Sequence, residues 1–261
     1  NCPEEVDFAK IILKPHKWAQ MVKYAKTGGE ANSIAIRLAR AFNKKEKIII
    51  CGYHGWHDWY LSAKLLKKHY MNTHLFDNLK IDGVPKFLKG YTISVKYNDF
   101  QEINRVIKKE KNISALIMEV KRNSEPKKDY LQKIRKICDK SKIVLIFDEC
   151  TTGFRENFGG IHLKYKVNPD LAMFGKAIGN GYSLTAILGK KDIMSKADQT
   201  FISSTFWSER LGFVAAKSTL LKMNRIKSWK ILRTNSIILK KGLMKNAKKN
   251  NLKIKFYGLD S

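Results

Sequence analysis

Residues 168–182 read Asn-Pro-Asp-Leu-Ala-Met-Phe-Gly-Lys-Ala-Ile-Gly-Asn-Gly-Tyr, and Lys176 lies at the centre of this stretch. The short apolar run from Leu171 to Phe174 precedes the lysine, and three glycines surround it. A short apolar run bounded by turn residues is typical of a buried strand. The pattern therefore predicts a strand that ends next to Lys176, with the ammonium group facing into the fold.

A second apolar run ends in two carboxylates. Residues 143–147 read Ile-Val-Leu-Ile-Phe, and Asp148 and Glu149 follow directly. Such a continuous run is typical of a strand that is buried on both faces of a parallel sheet. Ligands of open α/β sheets bind at the carboxyl ends of the strands, so we expect Asp148 and Lys176 to share one site. This pair suits pyridoxal phosphate (PLP), because lysine holds the cofactor as a Schiff base and aspartate keeps its pyridine nitrogen protonated.

Two motifs around these residues resemble class III PLP-dependent aminotransferases, in particular the branch that includes glutamate-1-semialdehyde 2,1-aminomutase. They are Phe-Asp-Glu-x-x-Thr-Gly-Phe-Arg at residues 147–155 and Pro-Asp-Leu...Gly-Lys-x-Ile-Gly-x-Gly at residues 169–181. The resemblance implies the type I fold of PLP-dependent transferases. This is an α/β fold with a mainly parallel central sheet flanked by helices and with a small C-terminal α+β domain.

The same resemblance bears on the domain organisation. Members of the family are normally much longer than 261 residues, and the chain begins with Asn1, so we expect a fragment. Residues 1–220 are expected to form the PLP-binding large domain without its N-terminal part. Residues 221–261 are expected to begin a small C-terminal domain that is truncated.

Composition limits the class of protein. Of the 261 residues 44% are hydrophobic, which is enough for a large buried core. No apolar run comes near the roughly 18 residues of a membrane span, and no secretory signal pattern is present, so we expect no membrane partner. The four cysteines form no Cys-x-x-Cys pair, which argues against a zinc site and a disulfide framework and favours a cytoplasmic location.

The formal net charge of +28 raises the question of nucleic-acid binding. The lysines are spread along the chain and no nucleic-acid-binding module is present, so we expect a solvated lysine-rich surface and no nucleic-acid partner. The densest basic stretch, residues 222–253, predicts an amphipathic helix with lysines on its outer face. Its regularly spaced apolar residues are Ile231, Leu232, Ile238, Leu239 and Leu243.

A glycine turn opens a strongly periodic helix at residues 27–42. Free backbone N–H groups and the positive end of the helix dipole favour an anion at such a turn. A plain turn with a helix cap is the alternative for this pattern. The segment resembles the family motif Ser-Gly-Thr-Glu-Ala, which holds the cofactor phosphate, with Thr27 at the Ser position and Gly29 at the Thr position. The resemblance implies phosphate binding by Thr27, Gly28 and Gly29, with Gly29 contributing only its backbone.

The apolar strand at residues 47–51 is followed by Gly-Tyr-His-Gly-Trp-His-Asp. A catalytic zinc site needs a third protein ligand beside His54 and His57, so we predict no metal. The Tyr-His-Gly segment resembles the family segment that stacks an aromatic ring on the pyridine face, which implies cofactor contact by Tyr53 and His54. A core aromatic residue is the alternative for Tyr53. Residues 56–60 depart from the aminomutase pattern and look more like sugar- or polysaccharide-pathway relatives.

Two further positions are implied by the resemblance to line the cofactor site. Glu119 ends the strand predicted over residues 114–120, in a segment similar to the family's Glu-Pro-Val, and a structural role in a hydrogen-bond network stays open for it. Cys150 stands where the family usually has Val, against the ring face opposite Tyr53. A buried thiol packs like a small hydrophobe, so the exchange is compatible with this position.

A last implied residue concerns a second subunit. Thr205 matches the family threonine that binds the phosphate of the neighbouring subunit's cofactor, whereas Ser204, Trp207 and Glu209 do not match the surrounding motif. This implies a homodimer with shared active sites. A polar residue before a helix is the alternative interpretation of Thr205.

The remaining chain alternates strands and helices, with a weakly patterned stretch at residues 61–90 that we interpret as an excursion or flap. The resemblance implies an aminotransferase in which Lys176 binds PLP and moves protons, Asp148 tunes the ring and Tyr53 stacks on it. Amino groups would pass through pyridoxamine phosphate from an amino donor to a keto or aldehyde acceptor, on a sugar- or polysaccharide-pathway substrate. Glutamate-1-semialdehyde 2,1-aminomutase is the alternative. A basic binding protein on this scaffold is the non-enzyme alternative, but it would be expected to have lost Lys176 or Asp148.

Overall fold

A seven-stranded sheet forms the centre of the computed structural model, which describes residues 2–73 and 80–261. The strand order is β1-β7-β6-β5-β4-β2-β3. All neighbouring pairs from β6 to β3 are parallel, whereas β7 runs antiparallel to both β6 and β1. The predicted mainly parallel sheet is therefore confirmed. The strands are β1 Met21–Ala25, β2 Lys47–Cys51, β3 Thr92–Ser94, β4 Ile113–Glu119, β5 Val144–Asp148, β6 Leu171–Phe174 and β7 Thr185–Gly189.

Helices cover both faces of this sheet. In β5, Leu145 and Phe147 belong to one hydrophobic core, and Val144 and Ile146 belong to a second core on the other face. Successive side chains of a strand point to opposite faces, so a continuous apolar run supplies both cores at once. The helices are α1 Pro3–Leu13, α2 Gly28–Asn43, α3 Asp58–Leu61, α4 Phe100–Lys109, α5 Tyr130–Ser141, α6 Lys191–Met194, α7 Arg210–Ile226 and α8 Ser228–Lys249.

The basic stretch at residues 222–253 forms two helices instead of the single helix predicted from its spacing. The chain breaks at Lys227, which adopts a left-handed conformation with φ of 53° between α7 and α8. The apolar residues named for this stretch are 39–64% exposed, so the described residues do not cover them. Helix α7 runs across residue 220, and the predicted division into domains at that residue stays a prediction.

The stretch at residues 61–90 contains the end of α3 and three short 3-10 turns, Ser62–Leu65, Met71–Thr73 and Lys86–Leu88. Residues 74–79 of the predicted flap lie outside the described residues, so the flap itself stays a prediction. Within the parts of the chain that the structure describes, no helix combines the length and the apolar character that a membrane crossing requires.

Candidate active site

A cavity of about 460 Å³ lies at the carboxyl ends of β5 and β6 and beside the N-terminus of α2. Short connections follow these strands, so polar residues directly after the apolar runs reach the same edge of the sheet. Most of the predicted cofactor-binding residues line this cavity. They are Thr27, Gly28, Gly29, Tyr53, His54, Asp148, Cys150 and Lys176.

Asp148 ends β5, and its buried carboxylate accepts three hydrogen bonds. Its Oδ2 accepts hydrogen bonds from Asn32 Nδ2 and His54 Nδ1, both at 2.9 Å, and its Oδ1 accepts one from the Cys150 amide at 3.1 Å. Burial alone would raise the pKa of this carboxyl, but the bonds and charge of His54, together with Asn32, outweigh it and lower the pKa. Asp148 is therefore held ionised, and its Oδ1 can accept one further hydrogen bond.

Asn32 was not predicted from the sequence. Its amide donates to the His54 carbonyl at 3.0 Å as well as to Asp148, so it joins α2, the His54 segment and β5. It is a polar residue on the side of α2 that also buries Ala31, Ala35 and Leu38. A lone polar residue among buried helix positions is the signal that sequence reasoning could have used.

His54 binds Asp148 through a defined tautomer. An ionised carboxylate only accepts hydrogen bonds, so Nδ1 of the buried His54 ring carries the donated proton. The other ring nitrogen, Nε2, is buried without a hydrogen-bond partner among the residues that the structure describes. His54 thus supports the carboxylate from the side.

Lys176 follows β6 in a 3-10 turn and has a left-handed backbone, with φ of 42°. Its Nζ donates to Thr151 Oγ1 at 2.8 Å. The side chain is exposed, so the expectation that its ammonium group faces the buried interior is wrong for the isolated chain. The reason is that the cavity is open to solvent where Lys176 enters it.

Glu119 lies behind Tyr53 and does not line the cavity. It is paired in register with Asp148 across β4 and β5. Its Oε2 accepts from the Tyr53 amide and from Arg122 Nη1, both at 3.0 Å. Burial first, and then the charge of Asp148, raise the pKa of Glu119. The Arg122 guanidinium also stands 5.7 Å from the Tyr53 ring centroid, so Glu119 and Arg122 together position Tyr53.

The backbone at Gly52 explains how Glu119 comes so close. Gly52 has φ of +130°, and a Cβ there would lie 2.7 Å from Glu119 Oε2. Only glycine adopts this φ without strain and leaves room for the Glu119 carboxylate. This residue therefore fixes the path of the chain from β2 into Tyr53.

Cys150 packs tightly between two glycines that line the cavity. Its Sγ would lie 3.4 Å from a Cβ on Gly28 and 3.4 Å from a Cβ on Gly175. Burial, followed by the charge of Asp148, raises the pKa of the thiol well above its usual value. The thiol therefore stays protonated at neutral pH and lines the cavity as a small apolar group.

Thr27 caps helix α2. Its hydroxyl accepts from the Glu30 amide at 3.3 Å, and the Glu30 carboxylate accepts from the Thr27 amide at 2.8 Å, which completes a capping box. The Ala31 amide donates to the Thr27 carbonyl. The amides of Gly28 and Gly29 have no acceptor in the part of the chain that the structure describes, and such free amides at a helix N-terminus bind anions.

A buried network supports the loop that follows Asp148. Glu149 accepts from both the backbone and Nδ1 of His162, and His162 Nε2 accepts from Trp18 Nε1 at 3.0 Å. Thr152 donates to the same carboxylate. Burial opposes ionisation of Glu149, but the hydrogen bonds that it accepts from His162 and Thr152 lower its pKa. Sequence reasoning left the role of Glu149 undecided and did not identify Trp18 or His162.

Thr205 does not line the cavity of its own chain. It is exposed in the segment at residues 201–208 that precedes α7, close in sequence to the exposed aromatic residues Phe201 and Phe206. Its assignment to the site of a neighbouring subunit stays a prediction. The described residues contain no group of three or more side chains suited to hold a metal ion.

The sequence profile of the family described as Aminotransferase class-III matches residues 3–256. The chain belongs to this family. The family match supports the predicted cofactor, PLP.

Two curated relatives have different names. A 3-aminobutyryl-CoA aminotransferase from Cloacimonas acidaminovorans is 36% identical over 217 residues, which are 79% of this chain and 48% of the relative. A glutamate-1-semialdehyde 2,1-aminomutase from Nitrosopumilus maritimus is 35% identical over 234 residues, which are 86% of this chain and 54% of the relative. The chain thus spans about half the length of these curated relatives.

Solved structures confirm the fold of this class III chain. An ω-transaminase from Sphaerobacter thermophilus superposes with a TM-score of 0.87 at 23% identity, covering 99% of this chain and 62% of the other. A transaminase with PLP bound superposes with a TM-score of 0.86 at 19% identity, covering 100% and 62%. The fold predicted from the sequence, that of PLP-dependent transferases, is therefore confirmed.

Proposed function

We propose that this chain is the cofactor-binding part of a PLP-dependent aminotransferase or aminomutase. One observation carries the proposal: the ionised carboxylate of Asp148 and the amine of Lys176 line one cavity beside the free amides of α2. The cavity volume of about 460 Å³ is in the usual range of small-molecule sites. The whole class III relatives named as aminotransferases and aminomutases support the same activity.

The residues present fit PLP. Asp148 has one free acceptor position for a protonated ring nitrogen, and the Gly28 and Gly29 amides suit a phosphate. Bound PLP supplies an electron sink that stabilises negative charge on a substrate carbon. Asp148 and Lys176 both line this open cavity.

The chain's own residues then have distinct tasks. Asp148 fixes charge at the floor of the cavity, because Asn32 and His54 keep it ionised. Lys176 would provide the nucleophile, and its amine would take up and return a proton at the substrate carbon. Tyr53 and Cys150 would form opposite walls that orient a flat ring. Thr151 holds the Lys176 amine by one hydrogen bond.

For the substrate we propose a keto or aldehyde sugar of a sugar- or polysaccharide-pathway, with a small-molecule amino donor. Residues 56–60, Trp-His-Asp-Trp-Tyr, support it, since they depart from the aminomutase pattern. The second candidate is glutamate-1-semialdehyde, which the relatives named as its aminomutase favour. Formation of 5-aminolevulinate from glutamate-1-semialdehyde would select the aminomutase, and amination of keto sugars without it would select the aminotransferase.

We further propose a homodimer in the cytoplasm. Thr205 would reach the partner's phosphate site, and exposed aromatic side chains near it support an interface: Phe201 is 87% exposed and Phe206 is 69% exposed. All four cysteines are unpaired, in keeping with a reducing compartment. Sedimentation of the full-length protein and its Phe206→Lys variant tests the interface, and an unchanged sedimentation coefficient would contradict it.

The decisive experiment traps the cofactor. Full-length protein is incubated with PLP, reduced with borohydride and digested, and mass spectrometry locates the label. We expect the label on Lys176 and none in the Lys176→Ala variant. Lys133→Ala, which changes an exposed lysine on α5 away from the cavity, is the matched control and should label normally. Labelling that is equal in the Lys176→Ala variant would overturn the proposed function.

A further inference from the structure

His57 occupies the space that a side chain at residue 29 would take. An ideal Cβ on Gly29 would lie 2.5 Å from His57 Cε1 and 2.7 Å from His57 Nδ1. A Cβ does not approach other heavy atoms so closely in proteins. Residue 29 therefore has to be glycine as long as the His57 ring holds this position.

The surrounding chain fixes the ring there. The Trp56 indole stacks on the His57 ring with centroids 4.9 Å apart and planes 19° apart. Gly55 has φ of +107°, and a Cβ on it would lie 3.2 Å from the Gly29 Cα. The segment at residues 55–57 thus packs directly against the first turn of α2, and a glycine on each side makes the close approach possible.

The ring presents an unused polar atom at the site. His57 Nδ1 is buried and has no hydrogen-bond partner within residues 2–73 and 80–261. Leaving a buried nitrogen unpaired is unfavourable, so such an atom calls for a partner from outside the chain. His57 lines the same cavity as Gly28 and Gly29. The amides of these two glycines and one ring nitrogen of His57 thus have no hydrogen-bond partner among the described residues.

The sequence shows what is missing at this place. Gly29 stands where the resembling family motif has a hydroxyl residue, and the Thr27 hydroxyl is already engaged with Glu30. The side-chain donor that the motif would provide at residue 29 is absent, and an imidazole fills its volume. A histidine nitrogen donates a hydrogen bond to a phosphate oxygen as a hydroxyl does, and in its charged form it also adds a favourable charge.

We propose, on the basis of the proposed function, that His57 replaces the lost hydroxyl of residue 29 as the side-chain ligand of the cofactor phosphate. In the family motif one residue binds the phosphate with both its amide and its hydroxyl. Here the Gly29 amide and the His57 ring would share these two contacts. The pair sets affinity for the phosphate group and leaves the chemistry at Lys176 untouched.

The first test compares two ligands. PLP and pyridoxal, which lacks the phosphate, are titrated into the full-length apoprotein and its His57→Ala and His57→Phe variants. We expect roughly ten-fold weaker PLP binding in both variants, from the loss of one hydrogen bond to a charged group, and unchanged pyridoxal binding. His57→Phe keeps an aromatic ring against Trp56 and so isolates the polar nitrogen. His69→Ala is the matched control, because its Nδ1 is also buried without a partner but it does not line the cavity.

The second test restores the hydroxyl at residue 29 and removes the His57 ring. Gly29→Thr alone is expected to weaken PLP binding at least ten-fold, because its Cβ meets the His57 ring. His57→Ala with Gly29→Thr removes the clash and restores a hydroxyl, so we expect PLP affinity within about three-fold of the unchanged protein. Additive losses in the double variant would overturn the proposal, as would equal losses for PLP and pyridoxal. Failure of the unchanged protein to bind PLP would instead overturn the proposed function.

Discussion

The two ends of the cavity are built in opposite ways. At the Asp148 end the carboxylate is 5% exposed and accepts three hydrogen bonds from Asn32, His54 and the Cys150 amide. At the α2 end Thr27 is exposed, and the Gly28 and Gly29 amides are free among the described residues. The Asp148 end thus has its hydrogen-bond donors within this chain, whereas the two α2 amides have no acceptor among the described residues.

The difference follows from the cost of burying charge. A buried carboxylate without partners is strongly unfavourable, so its hydrogen-bond donors must be in place before any ligand arrives. Helix amides near the surface stay solvated when no anion is bound, so they need no protein partner. The fold itself therefore sets the charge at Asp148, whereas an anion at the α2 end would supply the missing hydrogen-bond partners itself.

We expect the largest effect from Asp148→Asn, which removes the negative charge at the Asp148 end of the cavity. The neutral amide cannot hold a positive charge at the floor of the cavity, so we expect the rate of amino transfer to fall on the order of 10²- to 10³-fold. The cofactor should still bind, because the α2 end is unchanged. Single-turnover kinetics at saturating PLP separate the two effects. A variant with normal turnover per bound cofactor would contradict this account of Asp148.

Glu149→Gln tests whether the Asp148 end of the cavity depends on the hydrogen bonds that Glu149 accepts from His162 and Thr152. We expect a loss of about 1–3 kcal/mol in unfolding free energy near neutral pH, because His162 and Thr152 lose a charged acceptor. The folded state lowers the pKa of Glu149, so its contribution is present above the unfolded value near 4.5 and is lost as the pH falls through the lower folded value. Urea unfolding at several pH values measures this. As the pH falls, the unfolding free energy of the Glu149→Gln variant should decrease less than that of the unchanged protein.

Asn32→Ala removes one donor from Asp148 and keeps His54. The Asp148 pKa should rise toward its usual value, so the acid limb of the activity profile should move to higher pH. We also expect about 1–2 kcal/mol lower stability. Asn43→Ala, on the same helix but bonded to the Ser114 carbonyl, is the matched control for stability alone. A pH profile that coincides with that of Asn43→Ala would count against the role of Asn32.

Thr27→Ala should have the smallest effect. Loss of the capping box is expected to cost about 1 kcal/mol of unfolding free energy. PLP affinity should change less than three-fold, because the proposed phosphate ligands are backbone amides and His57. Thermal unfolding and cofactor titration give the two values. A large loss of affinity with unchanged stability would show that the Thr27 hydroxyl binds the anion directly.

The Asp148 end of the cavity was easier to predict from the sequence than the α2 end. Asp148 and Lys176 follow continuous apolar runs, and parallel strands bring such positions together whatever the loops do. Asn32 escaped prediction because it lies in the second turn of α2, 116 positions from its carboxylate partner in the chain. The exposure of Lys176 also escaped, since an apolar strand says nothing about how open the adjoining cavity is.

At the α2 end the sequence showed a missing hydroxyl at Gly29 but not its cause. The packing of His57 on Gly29 depends on how the segment at residues 55–57 turns back onto α2, and local patterns do not encode that distance. The break at Lys227 was missed for a related reason. A lysine in the left-handed region, with φ of 53°, has no composition signal.

Lys176 has a backbone conformation that is unfavourable for a residue with a side chain. Its φ of 42° places a residue with a long side chain in the left-handed region, which costs such a residue about 1 kcal/mol and costs glycine almost nothing. Lys176→Gly should therefore melt at a higher temperature than the unchanged apoprotein while losing all catalysis. A library screened for heat resistance alone should therefore enrich glycine at residue 176 and lose activity.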